Sequence, residues 1–293
     1  MSKINYEKYL VRKPLYEAFG GTKNRQSPTM TMMSDKQVPG CNYYIEPGWI
    51  YGIPDPNPSL HEHAHQYDEI VMHWGGHPET PQVLGGEVDF YLGGQPIIFN
   101  TATFFYIPKG TPHGPVIWKK FGFPHMQMAM MIGTGSAGEA WEESGIHENK
   151  DRLPEKTKVF DYEQYVVRSP LREPSTPGFM TYMSALQVPG VNHYIEFGWI
   201  TGKPGLKAER YDMREITHKK HHEIILFLGG DPTNPEDLGA DLEFPLGGQP
   251  LRFNTTSALF IPKGVRHGPV KCLEYYKPHM VISIACGVGV LDK

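Results

Sequence analysis

The segment LGGQPIIFNTATFFYIPKGTPHGPV, beginning at Leu92, returns as LGGQPLRFNTTSALFIPKGVRHGPV, beginning at Leu246. This period is much longer than that of a solenoid repeat, so the repeated unit is a whole domain and the chain must fold as two copies of it. The duplication reaches almost from end to end. Tyr6, Tyr9, Arg12, Pro14 and Leu15 correspond to Tyr162, Tyr165, Arg168, Pro170 and Leu171, and QVPGCNYYIEPGWI from Gln37 corresponds to QVPGVNHYIEFGWI from Gln187. Beyond a small insertion in the second copy, Glu69, Pro108, Gly110, His113 and His125 meet Glu223, Pro262, Gly264, His267 and His279 at one constant offset. At 293 residues, each half is long enough to bury its own core.

Short apolar or alternating runs closed by Gly, Pro and Asn dominate each half, and segments of helical period are nearly absent, which predicts an all-β fold. Strands are expected over 42–51, 69–74, 88–92, 97–99, 103–107 and 125–132, and again over 192–201, 223–228, 241–244, 251–253, 258–261 and 279–284. Many short strands at regular spacing suit a jelly roll or small barrel, an architecture that limits exposed sheet edges. The composition of GTGSAGEAWEESGIHENKDRLPE, with glycine first, then charge, then proline, suits a connector with one short helix around 139–144. The expected division is a barrel with its arm over 1–135, a connector over 136–156 and a second barrel with its arm over 157–293.

Twenty-eight basic residues against thirty-two acidic ones, without basic tracts, argue against a nucleic-acid surface and against binding to anionic membrane. Cys41, Cys272 and Cys286 each face a non-cysteine position in the other half, which suits reduced thiols and not a disulfide framework. With no apolar signal core near the start and no stretch of membrane-spanning length, a soluble cytoplasmic protein is expected. Exposed strand edges in such barrels make a homodimer a further expectation.

Five of the fourteen histidines crowd into SLHEHAHQYDEIVMHWGGH. Residues two apart on a strand project to one face, so His63 and His65 can aim two imidazoles at one point, and a tight turn lets Glu69 point back to it. In YIPKGTPHG, Pro108 and Gly110 shape a turn able to deliver His113 from a distant strand. Three imidazole nitrogens and a carboxylate oxygen suit one divalent first-row metal, Fe, Mn, Zn, Ni, Co or Cu, with positions left over for water or substrate. If Glu69 points inward, alternation puts Val71 and His73 on the same face, and His73 becomes a candidate catalytic residue, as substrate contact or proton donor. His125 and His279, present in both halves, read as packing or turn residues, and the Met126, Met128, Met130 stripe reads as core filling. The alternating Asn42, Tyr44 and Glu46, with their copies Asn192, Tyr194 and Glu196, read as a polar face between barrels.

The second half departs from this pattern, because the constant offset puts Thr217 and Lys219 where the two histidines belong. Three readings stay open there: His218, one spacer residue further from Glu223, joins His267 in a second metal set; His222 substitutes; or the site is dead.

His63-x-His65-x3-Glu69-x6-Gly76 followed by Pro108-x-Gly110-x2-His113 resembles the two signature motifs of the cupin superfamily, and the duplication makes the chain similar to a bicupin. The resemblance implies a double-stranded β-helix barrel in each half, with His63, His65, Glu69 and His113 holding a divalent metal. It also implies a metal-dependent enzyme acting on a small organic acid or carbonyl compound. Dioxygenase-like oxidative cleavage ranks first, decarboxylation second and isomerisation third. The competing expectation is a small-molecule-binding or sensor bicupin without turnover.

Overall fold

The computed structural model describes residues 4–18, 20–142, 144, 160–171, 179–205 and 214–291. Most of the expected connector, from 145 to 156, lies outside the described residues. The chain divides into two compact units, one of Leu15–Arg168 and one of Met1–Pro14 with Ser169–Lys293.

Besides a two-stranded sheet of Leu15–Tyr16 and Met30–Thr31, two antiparallel sheets build the first unit. The larger runs in the order Val166–Val167, Thr103–Ile107, Asp68–Gly75, His125–Ile132, Tyr43–Asp55 and Lys23–Arg25. The smaller runs His113–Phe121, Val83–Leu92, Gln95–Thr101. One core fills the space between them, with Ile50, Val71, Phe105 and Ile107 from the larger sheet against Val88, Phe90, Ile97, Phe99 and Trp118 from the smaller. These are alternate residues of their strands, which is how a period of two becomes an inside and an outside.

The second unit repeats the plan. Its larger sheet runs Leu10–Val11, Ser257–Ile261, His222–Gly229, His279–Cys286, His193–Ile200, Met180–Met183, and its smaller one Gln249–Thr255, Asp237–Leu246, Lys271–Tyr275. The all-β class and the paired jelly-roll barrels are therefore as expected. Sequence reading missed the His113–Phe121 and Lys271–Tyr275 strands, which follow the PHG turns. Pro115 and Pro269 beside those turns mask the strand pattern.

One expectation is corrected. The arms do not belong to the barrels that follow them in sequence. The Tyr6–Tyr9 turn leads into Leu10–Val11, which pairs with Leu259 and Ala258 of the later barrel, and the Tyr162–Tyr165 turn leads into Val166–Val167, which pairs with Phe105 and Phe104 of the earlier one. Each arm covers a sheet edge and lays a tyrosine ring on a glycine. A Cβ on Gly93 would come within 2.1 Å of the Tyr162 ring, and one on Gly247 within 2.2 Å of the Tyr6 ring.

Register across the larger sheet of the first unit sorts inward residues into layers. Tyr44, Met131, Glu69 and Ile107 form the first, Glu46, Ala129, Val71 and Phe105 the second, and Gly48, Gln127, His73 and Thr103 the third. In the second unit the matching layers are Tyr194, Ala285, Glu223, Ile261, then Glu196, Ser283, Ile225, Leu259, then Gly198, Val281, Phe227, Ser257. All three cysteines are buried and none is in a disulfide. Among the described residues no helix is long and apolar enough to cross a membrane.

Candidate metal centre

His63, His65, Glu69 and His113 converge: one ligand atom from each lies within 4.8 Å of every other, and all four residues are buried. A backbone bridge brings them together. His63 N–H donates to the His113 carbonyl at 2.9 Å and His113 N–H returns a bond to His63 at 2.8 Å, so the segment before Asp68–Gly75 is tied to the turn carrying the distant histidine. Gly110 N–H donates to the His65 carbonyl at 2.8 Å and closes that turn over the next ligand.

The second nitrogen of each imidazole settles which one faces the centre. His63 Nδ1 sits 2.8 Å from the His61 carbonyl and His113 Nδ1 2.9 Å from the Thr111 carbonyl. A carbonyl only accepts, so both rings carry their proton on Nδ1 and offer the Nε2 lone pair. His65 reaches the same state through Tyr67, whose hydroxyl donates to the Ala140 carbonyl and so accepts from His65 Nδ1 at 3.0 Å. His61 thus supports the centre through its backbone.

Burial favours the ligand forms. It holds the His63 ring well below the ordinary imidazole range, helped by His113 and His65, and lowers His65 to about 4. Burial raises the Glu69 carboxyl, and positive charge at the positions of His113 and His65 brings it below the ordinary range, so the carboxylate calls for protonated rings or for a cation in their place. His113 Nε2 lies 2.8 Å and His65 Nε2 3.7 Å from Glu69 Oε2, yet none of the three atoms makes a hydrogen bond. Buried polar atoms without partners are rare and costly, about 1–3 kcal/mol each, and a shared cation is the group that would satisfy a set made only of lone pairs.

Trp141 is a site residue that sequence reading placed in the connector. Ser136 caps the Ala137–Trp141 helix by accepting from Glu139 N–H, three residues before the expected start. The indole packs on His63 and His65, at 5.3 and 5.6 Å between ring centres, and lines the cavity beside the cluster. That cavity is also lined by Arg25, Glu46, Glu69, Val71, His113, Gln127 and Ala129. The space open to the centre of a water molecule is about 20 Å³, little more than one or two waters need. Glu46 is therefore an interior residue, 3% exposed, and the expected polar face between barrels is corrected. Its copy Glu196 is buried too, as are Tyr44 and Tyr194, whereas Asn42 and Asn192 are exposed.

His73 points inward in the third layer, opposite Gln127, but unlike Gln127 it does not line the cavity. Its ring is wholly buried among Phe99, Phe105 and Trp118, with neither nitrogen hydrogen-bonded. The catalytic role expected for it gains no support from this placement, because apolar rings occupy the space a substrate would need. His125 accepts from Trp118 Nε1 at 3.1 Å, in keeping with a packing role, and Met126, Met128 and Met130 are fully buried.

In the second barrel His218, Glu223 and His267 come together, with His267 Nε2 3.0 Å and His218 Nε2 3.3 Å from Glu223 Oε2. Backbone pairing corrects the alignment between halves. Ile216, not Thr217, bridges His267 as His63 bridges His113, and Gly264 N–H bonds the His218 carbonyl at 2.7 Å as Gly110 bonds His65. His218 is thus the counterpart of His65, the extra residue lies between it and Glu223, and the missing ligand is Ile216. His222 faces away: its Nδ1 accepts from Lys263 N–H at 3.2 Å and its ring stacks on Phe260. Burial would raise the Glu223 carboxyl, but His218 and His267 together bring it down to about 2.

No protein-family model matches the chain, and no curated protein matches it in sequence. Solved structures do. AerE from Microcystis aeruginosa aligns with a TM-score of 0.53 over 95% of this chain and 99% of its own, at 12% identity. A single-residue variant of oxalate decarboxylase from Bacillus subtilis aligns with a TM-score of 0.54 over 95% of this chain and 81% of its own, at 11% identity. Oxalate decarboxylase from the same organism, at pH 4.6, aligns with a TM-score of 0.53 over 93% and 78%, at 12% identity. The chain has the bicupin fold. At these identities the likeness carries architecture alone, and the chemistry of this chain has to be argued from its own residues.

Proposed function

We infer that this bicupin is a metal-dependent enzyme whose first barrel binds one divalent first-row cation through His63, His65, Glu69 and His113 and acts on a small organic acid or carbonyl compound. The observation that carries this reading is the convergence of buried lone pairs, without partners, on the wall of a cavity. A cation held there would polarise a chelated carbonyl or carboxylate oxygen. Trp141 restricts water at the ligands, and Tyr67 and the His61 and Thr111 carbonyls keep the rings in the binding tautomer.

Decarboxylation moves ahead of oxidative cleavage in this reading. The cavity contains a carboxyl group, Glu46, able to supply the proton that replaces departing carbon dioxide, and several of the similar structures are of oxalate decarboxylase. The second barrel supports a weaker reading as a site for a further cation, through His218, Glu223 and His267.

The test is elemental analysis of protein purified without chelator or histidine tag, alongside His113→Ala. Wild type is expected to retain metal and the variant to lose the first-barrel ion. Protein that holds no metal after reconstitution would end the reading. Ligand-induced thermal stabilisation without product from any short acid would favour a binding module instead.

A further inference from the structure

The second layer of the first barrel contains a carboxylic acid for which its neighbours account only in part. Glu46 is 3% exposed, Thr29 Oγ1 reaches its Oε2 at a long 3.5 Å, and its Oε1 is buried without a hydrogen-bond partner. Arg25, brought in by the Lys23–Arg25 strand through pairing with Ile50, lines the same cavity and carries the facing positive charge. Gln127, one layer deeper, also lines it, and its Oε1 is likewise buried without a partner. Such atoms in a polar cavity mark places for a ligand or ordered water.

The second barrel serves as an internal comparison. It keeps the acid, as Glu196, but where Ala129 leaves the first barrel open it has Ser283, whose hydroxyl donates to Glu223 Oε1 at 2.7 Å. Where the first barrel has Gln127 and His73, it has Val281 and Phe227. Among the described residues only the first barrel combines four ligands, a second layer free of such a hydroxyl and a polar third layer, so only there does the acid face a small cavity shared with the ligand cluster.

We propose that Glu46 is the proton donor of the first barrel, protonating the carbon of a short oxo acid as that acid loses carbon dioxide, with Arg25 balancing the carboxylate left behind. This deepens the metal-enzyme reading above and rests on it. The substrate's carbon–carbon bond to the departing carboxylate breaks, and its electron pair stays on the substrate carbon, in conjugation with the neighbouring carbonyl. Carbon dioxide leaves, the Glu46 O–H bond breaks, and a C–H bond forms. Glu46 is then ionised beside Arg25 and takes a proton from solvent before the next turnover, so one proton is consumed and no oxidant is required. With no cation bound, burial raises the Glu46 carboxyl to about 8, with Arg25 pulling it down and Glu69 pushing it up, a direction that favours the protonated form a donor needs.

The experiment uses the full chain reconstituted with Mn(II), with oxaloacetate as probe and the free-ion rate subtracted. Glu46→Gln is expected to lower kcat by about 100- to 10,000-fold with KM and Mn(II) content unchanged. Glu46→Asp should recover part of the loss, and the solvent deuterium isotope effect on kcat seen in wild type should change in the Gln variant. Glu196→Gln should behave as wild type. A Glu46→Gln protein with wild-type kcat, or one that has lost its Mn(II), would overturn the proposal, as would a Mn(II)-loaded wild type no faster than the free ion. Wild type that retains no Mn(II) would instead remove the metal reading underneath.

Discussion

Ile216 separates the two ligand clusters. It holds the backbone position of His63, bridged to the histidine of the PKG turn, but brings a hydrocarbon where the first barrel has an imidazole. Ile216→His should therefore convert a three-ligand set into a four-ligand one, and equilibrium dialysis against a competing chelator should show tighter binding at the second barrel. Tyr67 acts at one remove, by accepting from His65 Nδ1. Tyr67→Phe leaves that N–H without its acceptor and is expected to weaken first-barrel metal affinity by about 10- to 100-fold, measured by the same dialysis. Glu46 should be visible in stability even without substrate. Its folded-state pKa of about 8 is raised above the usual carboxyl range, so the native state binds the extra proton, and stability falls as pH rises from the ordinary carboxyl range through 8. The groups acting on it are Arg25, Glu69, Tyr44, Thr29 and Tyr67. Glu46→Gln should flatten that loss, and thermal melts of chelator-treated protein at pH 5 and pH 9 should show the variant gaining on wild type only at the higher pH.

Among the elements, strand alternation did most to make the site legible. Glu69, Val71 and His73 share the inward face as period two requires, and the Pro108 and Gly110 turn delivers His113 to Glu69. What alternation could not say is how deep each layer lies. His73 was singled out because it faces inward, but it sits beyond Val71 among aromatic rings, while Glu46 lies two strands away, level with Val71, and lines the cavity. A usable signal did exist, since a glutamate kept in both copies within a strand of otherwise apolar and aromatic residues is expensive to bury without a purpose. A short helix was legible in the composition of the connector, around 139–144 where the structure has Ala137–Trp141, but nothing local to it announces that Trp141 packs on two ligands. Trp141→Ala should open the ligands to solvent, and chelator should strip the first-barrel metal faster than from wild type.

For the whole molecule, the exchange of arms means that the two halves of the sequence are not the two folded units. Removing residues 1–14 takes away the partner of Ser257–Ile261 and the Tyr6 ring over Gly247. Hydrogen exchange should then rise along that strand, and first-barrel metal content should hold. Gly93→Ala probes the other arm: φ is +57° there and Tyr162 fills the Cβ position, so the backbone alone costs about 1–2 kcal/mol and the ring must also move. Chemical denaturation should show that loss in the unit of Leu15–Arg168.

Periodicity and spacing are properties of neighbours along the chain. They were enough for the duplication, the all-β class, the inward face of each strand and the four residues of the first cluster, because a strand of fixed pitch and a turn of fixed length carry their geometry with them. Three things depended on contacts between segments distant in sequence. Backbone pairing between Ile216 and His267 decided which residue of the second half replaces a ligand, cross-strand register decided that Glu46 and not His73 shares the cavity, and edge pairing decided which barrel each arm completes. A hydrogen bond between residues far apart leaves no mark on the residues that adjoin either of them, so only the folded chain could show these.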